Sequence, residues 1–159
     1  MSEVIVVGGG AAGMIAAICS AGEGNRVTLL EKNEKLGKKL FITGKGRCNL
    51  TNAGDIEDLM GHVVTNREFL YSAFYSFTNE QMMEWMEQWG CPVKVERGNR
   101  VFPVSDKSSD VIRAMERELG KRKVSVKLNT EVRQILTENG SIRGVEVNGG
   151  RKMKADKVV

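Results

Sequence analysis

Short apolar runs and helical periodicities divide the chain into alternating strands and helices, beginning at residues 4–7. These four residues (VIVV) are all β-branched, which is typical of a strand buried on both faces of a parallel sheet. Residues 8–13 (GGGAAG) interrupt the run, and the pattern beyond them predicts a helix over residues 11–21. Its apolar positions recur at i, i+3, i+4 and i+7, which predicts a buried face of small residues made by Ala12, Ile15, Ala16 and Cys19.

A second strand is predicted at residues 27–30 (VTLL), because Gly22 and Gly24 end the helix before it. Glu31 follows this strand directly. A strand, a helix and a second strand in this order form the unit from which doubly wound α/β proteins are built. The sequence therefore predicts an α/β fold with a Rossmann-type parallel sheet.

Residues 53–123 depart from this alternation and predict a mainly helical insertion that contains one β-hairpin. Helices are predicted at residues 66–76, after a capping box at 78–81, and at 108–119, with the hairpin at 92–104. The predicted buried faces are Phe69, Leu70, Ala73 and Phe74 in the first helix, Met82, Trp85, Met86 and Trp89 in the second, and Ile112, Met115 and Leu119 in the third. No linker marks a boundary, so residues 1–159 are predicted as one domain with this insertion inside it.

Strand patterns return towards the C-terminus. Residues 124–128 alternate apolar and polar side chains, which predicts a strand. Asn-Gly pairs at 139–140 and 148–149 are typical of tight hairpin turns. Residues 131–155 are therefore predicted to form an antiparallel β-meander.

The first loop carries the most informative chemistry, because its glycines satisfy the pattern G-x-G-x-x-G at Gly8, Gly10 and Gly13. Gly8 makes the tight turn, Gly10 has no side chain to block a pyrophosphate, and Gly13 lets the helix pack closely on the sheet. The helix N-terminus then offers free N–H groups to phosphates. Glu31 lies eighteen residues beyond Gly13, where a carboxylate can bind ribose hydroxyls. The unit predicts dinucleotide binding, and the carboxylate disfavours NADP while leaving FAD and NAD open.

Residues 38–52 (KKLFITGKGRCNLTN) form a cationic stretch shortly after this acid. It is not a P-loop, because Gly44-Lys45 is followed by Gly46 instead of serine or threonine. In a doubly wound sheet, ligands bind at the carboxyl ends of the strands. The lysines, the backbone N–H groups and Asn49 are therefore predicted to contact the diphosphate and the polar edge of a flavin. The alternative is a solvated loop whose glycines only make turns.

Composition and charge exclude several classes of protein. No apolar run approaches the length of a membrane span, and the N-terminus lacks the basic region of a signal peptide. Three scattered cysteines favour a reducing compartment, so a cytoplasmic location is expected. The net charge of +4 fits either an anionic partner or a modest excess of positive charge spread over the surface. The sequence contains no basic stripe interleaved with aromatic residues, so nucleic-acid binding is not predicted. His62 is the only histidine, which disfavours a histidine-based metal site or a Ser–His triad, and no metal site is predicted.

Three segments together closely resemble a bacterial family of FAD-dependent oxidoreductases, the HI0933-like flavoproteins. These segments are GGGAAG at 8–13, LLEKNEKLGKKLFITGKGRCNLTN at 29–52 and GNRVFPVSDKSSDVI at 98–112. The resemblance implies FAD on the first Rossmann unit, reduction of the flavin by NAD(P)H, and transfer of electrons to a small organic acceptor. Motif and resemblance together predict this set of cofactor-binding residues: Gly8, Gly10, Ala11, Ala12, Gly13, Glu31, Lys32, Lys38, Lys39, Gly44, Arg47, Asn49 and Val132.

The resemblance also implies that the chain is the N-terminal portion of a longer protein, incomplete at its C-terminus. No catalytic acid or base is assigned, since a flavin enzyme needs mainly placement and electrostatics from its protein. Cys48 lies within the cationic stretch but has no partner cysteine at short spacing, so a packed, inert thiol is expected. Two alternatives remain, a flavin-dependent RNA-modifying enzyme and a dinucleotide-binding module without turnover.

Overall fold

The computed structural model describes residues 1–159, which form ten strands and six α-helices. The strands are β1 Glu3–Val7, β2 Arg26–Leu30, β3 Thr51–Asn52, β4 Val93–Glu96, β5 Arg100–Pro103, β6 Ser125–Lys127, β7 Val132–Glu138, β8 Ser141–Val147, β9 Lys152–Lys154 and β10 Lys157–Val158. The helices are α1 Ala11–Gly22, α2 Lys38–Ile42, α3 Ile56–Gly61, α4 Arg67–Ser76, α5 Asn79–Gln88 and α6 Ser108–Lys121. The chain divides into two compact units, residues 1–40 with 115–159, and residues 41–114.

The first unit is built on a four-stranded parallel sheet in the order β10-β1-β2-β6. Strand β1 lies between β10 and β2 in the sheet, and its residues Val4, Ile5 and Val6 are buried, as the run of β-branched residues predicted. Val7, the last residue of the predicted run, is exposed. With α1 connecting β1 to β2, this arrangement confirms the predicted α/β fold with a Rossmann-type sheet.

Helix α1 has the predicted extent, but the prediction of its buried face was wrong. Its buried residues are Met14, Ala17 and Ile18, whereas Ala12 and Cys19 are exposed. The reason is the contact of Gly13 with the turn that precedes the helix, where an added Cβ would lie 1.8 Å from the carbonyl oxygen of Gly8. Turning Gly13 towards β1 rotates the helix so that positions 14, 17 and 18 meet the sheet.

The antiparallel meander predicted near the C-terminus is confirmed as the three-stranded sheet β7-β8-β9. A cluster of buried side chains joins it to the parallel sheet: Ile5, Leu30, Val145, Val147 and Ala155. The pairing of β7 with β8 shifts register between Val132 and Gln134. The meander therefore packs against β1 at its middle and against β2 at its end.

The second unit contains α3, α4, α5 and a three-stranded antiparallel sheet in the order β3-β5-β4. The predicted hairpin is confirmed as β4 and β5. The predicted capping box is also present, because the Thr78 side chain accepts from the backbone of Gln81 and the Gln81 side chain accepts from the backbone of Thr78. In the helix that follows, Met86 and Trp89 are buried as expected.

The predicted buried face of α4 was wrong, because no residue of this helix is fully buried. Phe69 is 84% exposed, Ala73 is also exposed, and only Leu70 and Phe74 are half-buried. Aromatic residues occur around much of the helix, including the exposed Tyr71 and Tyr75, whose rings stack 6.0 Å apart. Apolar periodicity therefore did not select a single face.

Helix α6 confirms its sequence pattern. Ile112, Met115 and Leu119 are all buried, and Val111 and Ala114 extend the same apolar face. Among the helices of the chain, none combines the length and the apolar character that a membrane span requires.

Candidate functional site

A pocket of about 410 Å³ lies at the carboxyl ends of β1 and β2. All of its lining belongs to the first unit: Val7, Gly8, Gly9, Gly10, Leu30, Glu31, Lys32, Asn33, Lys38, Lys39, Thr130, Glu131 and Val132. The glycine loop, the end of β2, the start of α2 and the start of β7 supply these residues. This is the edge of a doubly wound sheet at which ligands bind.

The three motif glycines have different structural requirements. Gly8 has a φ of 101°, a conformation that other residues rarely adopt. Gly13 packs so closely that a side chain would collide with the backbone of Gly8. Gly10 has extended backbone angles, φ −81° and ψ −173°, and an added Cβ would meet no protein atom within 4 Å. Neither the turn nor the packing of the helix therefore requires that residue 10 lack a side chain.

The N-terminus of α1 has no protein partner for its first donors. Its first turn contains no acidic residue and no side-chain cap. The first backbone hydrogen bond runs from the N–H of Met14 to the carbonyl of Gly10 at 2.9 Å. The N–H groups of Ala11, Ala12 and Gly13 precede it and have no acceptor within the helix. Free donors and the positive end of the helix dipole together favour an anion at this point.

Glu31 is the buried carboxylate of the pocket, with 7% of its surface exposed. Its Oε2 accepts from the N–H of Gly9 at 2.6 Å, and its Oε1 accepts from the N–H and the Nδ2 of Asn33 at 2.8 and 2.6 Å. Burial raises the pKa of Glu31, but these hydrogen bonds and the nearby Lys32 outweigh it, so the net pKa lies below the ordinary value. The pocket therefore contains a carboxylate that stays ionised at neutral pH.

Cationic side chains line the pocket near this acid. Lys38 and Lys39 come from the first turn of α2, and Lys32 follows Glu31. Lys38 also forms an ion pair with Glu34 at 3.1 Å, with both side chains more than half exposed. Val132 lies at the first position of β7. The structure thus brings ten of the thirteen predicted residues to the glycine loop, the start of α1 and the pocket.

The other three predicted residues, Gly44, Arg47 and Asn49, belong to the second unit and do not line the pocket. Gly44 has a φ of 55° and lies in a tight turn. With its amide nitrogen turned towards them, Asn49 donates to the carbonyls of Thr51 and Val101, each at 3.2 Å. Both contacts connect the cationic stretch to the small antiparallel sheet.

Arg47 takes part in a network of four charged side chains. Its guanidinium donates to Asp106 at 2.6 and 2.8 Å and to Glu96 at 2.5 Å, and it lies 4.1 Å from the centre of the Phe102 ring. Lys94 bonds to the same Asp106 at 2.7 Å. The hydrogen bond from Arg47 lowers the pKa of Glu96, and those from Lys94 and Arg47 lower the pKa of Asp106. The charge of Arg47 is therefore compensated within its own unit.

Replacing Arg47 by alanine is expected to lower the melting temperature, because Glu96 and Asp106 would then share only Lys94. The loss should shrink at high salt, since exposed charges are screened. Arg47→Lys is the matched control: it keeps the charge but cannot reach both carboxylates with a planar fork, so it should recover only part of the loss. Thermal unfolding at low and at high salt measures both effects, and equal melting temperatures for wild type and Arg47→Ala at low salt would contradict the role of the network.

Sequence reasoning missed several residues of the pocket, among them Gly9, Asn33, Thr130 and Glu131. Gly9 has a signal in the sequence, because it stands between two motif glycines. Its added Cβ would lie 2.3 Å from Leu36 Cδ2 and 3.1 Å from Glu31 Oε2. Asn33 stands two positions after the acid, which is a weaker signal. Nothing local marks Thr130 and Glu131, since only the folded chain brings them to the glycine loop.

Cys48 and His62, the other residues considered for chemistry, do not line the pocket. Cys48 is buried, and burial raises the pKa of its thiol, which fits an inert thiol. His62 is exposed at the end of α3, with Nδ1 2.8 Å from the carbonyl oxygen of Asp58. No group of three or more histidine, cysteine or acidic side chains is arranged to hold a metal ion.

Comparison with known proteins agrees with this geometry. Residues 2–159 match the model of a family described as the HI0933-like protein Rossmann domain. The chain is 32% identical, over its whole length, to a 3-dehydro-bile acid delta(4,6)-reductase of Clostridium scindens. It is 28% identical, over 84% of its length, to a ribosomal RNA dihydrouridine synthase of Haemophilus influenzae. It also superposes on the open conformation of a flavocytochrome c3 fumarate reductase, with a TM-score of 0.66, 23% identity and 99% of the chain covered.

The chain is short compared with these proteins. It spans 38% of the bile acid reductase, 33% of the dihydrouridine synthase and 33% of the flavocytochrome chain. The likeness to the flavocytochrome shows the fold, whereas the family match covers nearly every residue of this chain.

Proposed function

This chain belongs to the HI0933-like Rossmann-domain family, and on that basis we propose that its pocket binds FAD for an oxidoreductase reaction. The family assignment confirms the resemblance to FAD-dependent oxidoreductases expected from the sequence. The observation that carries the proposal is the uncapped start of α1 beside the open side of Gly10. Both features fit a diphosphate, because it needs free N–H donors and close approach to the backbone.

Residues of the pocket and of the start of α1 would contact different parts of the cofactor. Gly8 shapes the turn, and the N–H groups of Ala11, Ala12 and Gly13 would bind the diphosphate. Glu31 would accept hydrogen bonds from the ribose hydroxyls, and its negative charge disfavours a 2′-phosphate. Val132, at the first position of β7, would contact the adenine through its backbone. The lysines at positions 32, 38 and 39 add positive charge around the diphosphate.

The cationic stretch has a second proposed role, at the flavin end of the cofactor. Gly44 and Asn49 would offer backbone groups to the ring, and Arg47 would act there mainly by holding the loop. Its two carboxylate partners already compensate the charge of the guanidinium. The pocket itself does not include these residues, so this part of the proposal rests on the family resemblance.

FAD, when bound, supplies two-electron transfer between a donor and an acceptor. We propose NAD(P)H as the donor and a small organic molecule as the acceptor. Two of the similar proteins are named as reductases of small molecules, a 3-dehydro-bile acid and fumarate. A cytoplasmic location fits the three cysteines, all of which are free thiols.

RNA is a second candidate substrate, favoured by one observation, the similarity to ribosomal RNA dihydrouridine synthases. The sequence lacks the basic stripe with aromatic residues that RNA binding usually requires. A filter-binding assay with ribosomal RNA at increasing salt separates the two candidates, because a bound RNA releases counterions and loses affinity as salt rises.

FAD is expected to bind the wild-type protein and to acquire a bound-flavin absorption spectrum. Glu31→Gln should weaken this binding about tenfold, because it removes a charged hydrogen-bond acceptor from the ribose. Glu84→Gln is the matched control, since Glu84 is exposed on α5 and should leave the affinity unchanged. Fluorescence titration with FAD measures all three proteins.

The Glu31→Gln variant also tests how the stability of the protein depends on pH. The folded-state pKa of Glu31 is lowered from 4.5, so its carboxylate stabilises the fold above that pH and the contribution is lost as the pH falls below it. Glu31→Gln should lack this part of the acid destabilisation.

A wild-type protein that never takes up FAD would overturn the proposed function. Flavin uptake without oxidation of NADH or NADPH would favour a binding module without turnover.

A further inference from the structure

We propose that Asn33 is a positioning residue for Glu31, and that it holds the carboxylate where it can accept hydrogen bonds from the ribose of the dinucleotide. This inference rests on the proposed function, since it concerns the same pocket. Asn33 lies within the segment 29–52 that carries the family resemblance but is not among the predicted cofactor-binding residues, and it lines the pocket beside Glu31. It would act on the ligand only through its neighbour.

The geometry of the carboxylate carries the inference. Both donors of Asn33, the backbone N–H and the side-chain Nδ2, converge on Oε1 of Glu31 at 2.8 and 2.6 Å. The N–H of Gly9 donates to Oε2 at 2.6 Å. A carboxylate offers about four acceptor positions, so these three donors leave about one, on Oε2, for a ligand hydroxyl. Asn33 therefore fixes the orientation of the carboxylate, and one acceptor position on Oε2 remains for a ligand hydroxyl.

Asn33 is itself held in place by the sheet edge. Its carbonyl accepts from the N–H of Asn129 at 3.0 Å, and the N–H of Thr130 donates to the carbonyl of Glu31 at 2.9 Å. The N–H of Gly37 donates to the carbonyl of Gly9 at 2.8 Å. The turn after β2 is thus connected to the glycine loop on one side and to residues 129–130 on the other, which is the rigid support that a positioning residue needs.

The side chain of Asn33 contributes to the low pKa of Glu31. Burial raises the pKa of Glu31, and among the opposing hydrogen bonds those from Asn33 and Gly9 keep it low. Lys32 also lowers the pKa of Glu31, and the other titratable groups that line the pocket are Lys38, Lys39 and Glu131. Loss of the side-chain Nδ2 donor of Asn33 should therefore raise the pKa of Glu31.

Three substitutions of Asn33 test the inference. Asn33→Ala removes the side-chain donor, Asn33→Asp keeps the shape but places a second carboxylate beside Glu31, and Asn33→Ser keeps a short donor. FAD affinity should fall about tenfold in Asn33→Ala, further in Asn33→Asp, and least in Asn33→Ser. The loss should grow as the pH falls, because Glu31 would protonate at a higher pH than in the wild type.

Two further measurements separate positioning from general damage. The first is a ¹³C NMR titration of the Glu31 carboxyl without FAD, in which Asn33→Ala should shift the titration to higher pH. The second is FAD affinity in the Glu31→Gln background, where Asn33→Ala should have no further effect because its partner is gone. An unchanged Glu31 titration, or an equal loss of affinity with and without Glu31, would overturn the inference.

The proposed function and this inference fail in different ways. If the wild type takes up no FAD, the proposed function is overturned, and with it the role of Asn33 towards a ribose. The NMR titration still reports whether Asn33 controls Glu31. If the wild type binds FAD and Asn33→Ala binds it equally well at every pH, only the inference is overturned.

Discussion

Gly10→Asp is expected to abolish FAD binding while leaving the fold as stable as the wild type or slightly more so. Gly10 is the N-cap of α1, its backbone angles suit any residue, and its added side chain meets no protein atom. Aspartate is a preferred N-cap and its charge favours the helix dipole, so stability should rise by about a few tenths of a kcal/mol. The same carboxylate would occupy the place of the diphosphate, and the repulsion should weaken binding more than about a hundredfold.

Opposite changes in stability and affinity make this substitution informative. Thermal unfolding and FAD titration are measured on the same preparation. Gly10→Asn is the matched control, because asparagine caps the helix equally well without the charge and separates steric blocking from repulsion. Undiminished FAD affinity in Gly10→Asp would mean that the diphosphate binds elsewhere, and the site assignment would be wrong.

Gly13→Ala is expected to destabilise the protein by about 3 kcal/mol or more, the upper part of the range for overpacked interiors. The added Cβ would lie 1.8 Å from the carbonyl oxygen of Gly8, and a backbone atom in a tight turn cannot move aside as a flexible side chain can. Relief requires α1 to move away from β1, which would expose Met14, Ala17 and Ile18. Denaturant unfolding, with the slope and midpoint fitted together, measures the loss.

Gly120→Ala is the matched control for this substitution. Gly120 lies in the last turn of α6, has no positive φ, and its added Cβ meets no atom within 4 Å. The change should be neutral or stabilise the protein by up to about 1 kcal/mol, since alanine is the better helix former. If Gly13→Ala were as stable as Gly120→Ala, the close packing of α1 on the glycine turn would be disproved.

Much of the first unit could be predicted from local patterns. The extents of β1, α1 and β2, the meander and the hairpin turns all follow from short stretches of sequence, because propensity and turn chemistry act between near neighbours. Helical periodicity was less reliable for faces. In α1 it favoured Ala12 and Cys19, which are exposed, and in α4 it favoured Phe69, which is also exposed.

The candidate site shows the same division. Spacing alone indicated Gly8, Gly10, Gly13 and Glu31, because the motif places them at set positions relative to a strand and a helix. The partners of Arg47 could not be predicted, since Glu96 and Asp106 lie 49 and 59 residues further along the chain. The family resemblance made Arg47 a ligand candidate, whereas the folded chain shows it paired with these two carboxylates.

Local patterns along the chain were sufficient to predict the order of most elements and the chemistry of the glycine loop, because these depend on residues that are near one another in the sequence. Three short segments were sufficient to indicate the family. Three features could be read only from the folded chain: the buried face of α1, the hydrogen bonds that hold Glu31 in place, and the residues that complete the pocket wall. Those outcomes depend on contacts between distant segments, such as Gly9 with Glu31 across 22 residues. Local periodicity carries no record of such contacts, because they form only when α1, the turn after β2 and the start of β7 pack together.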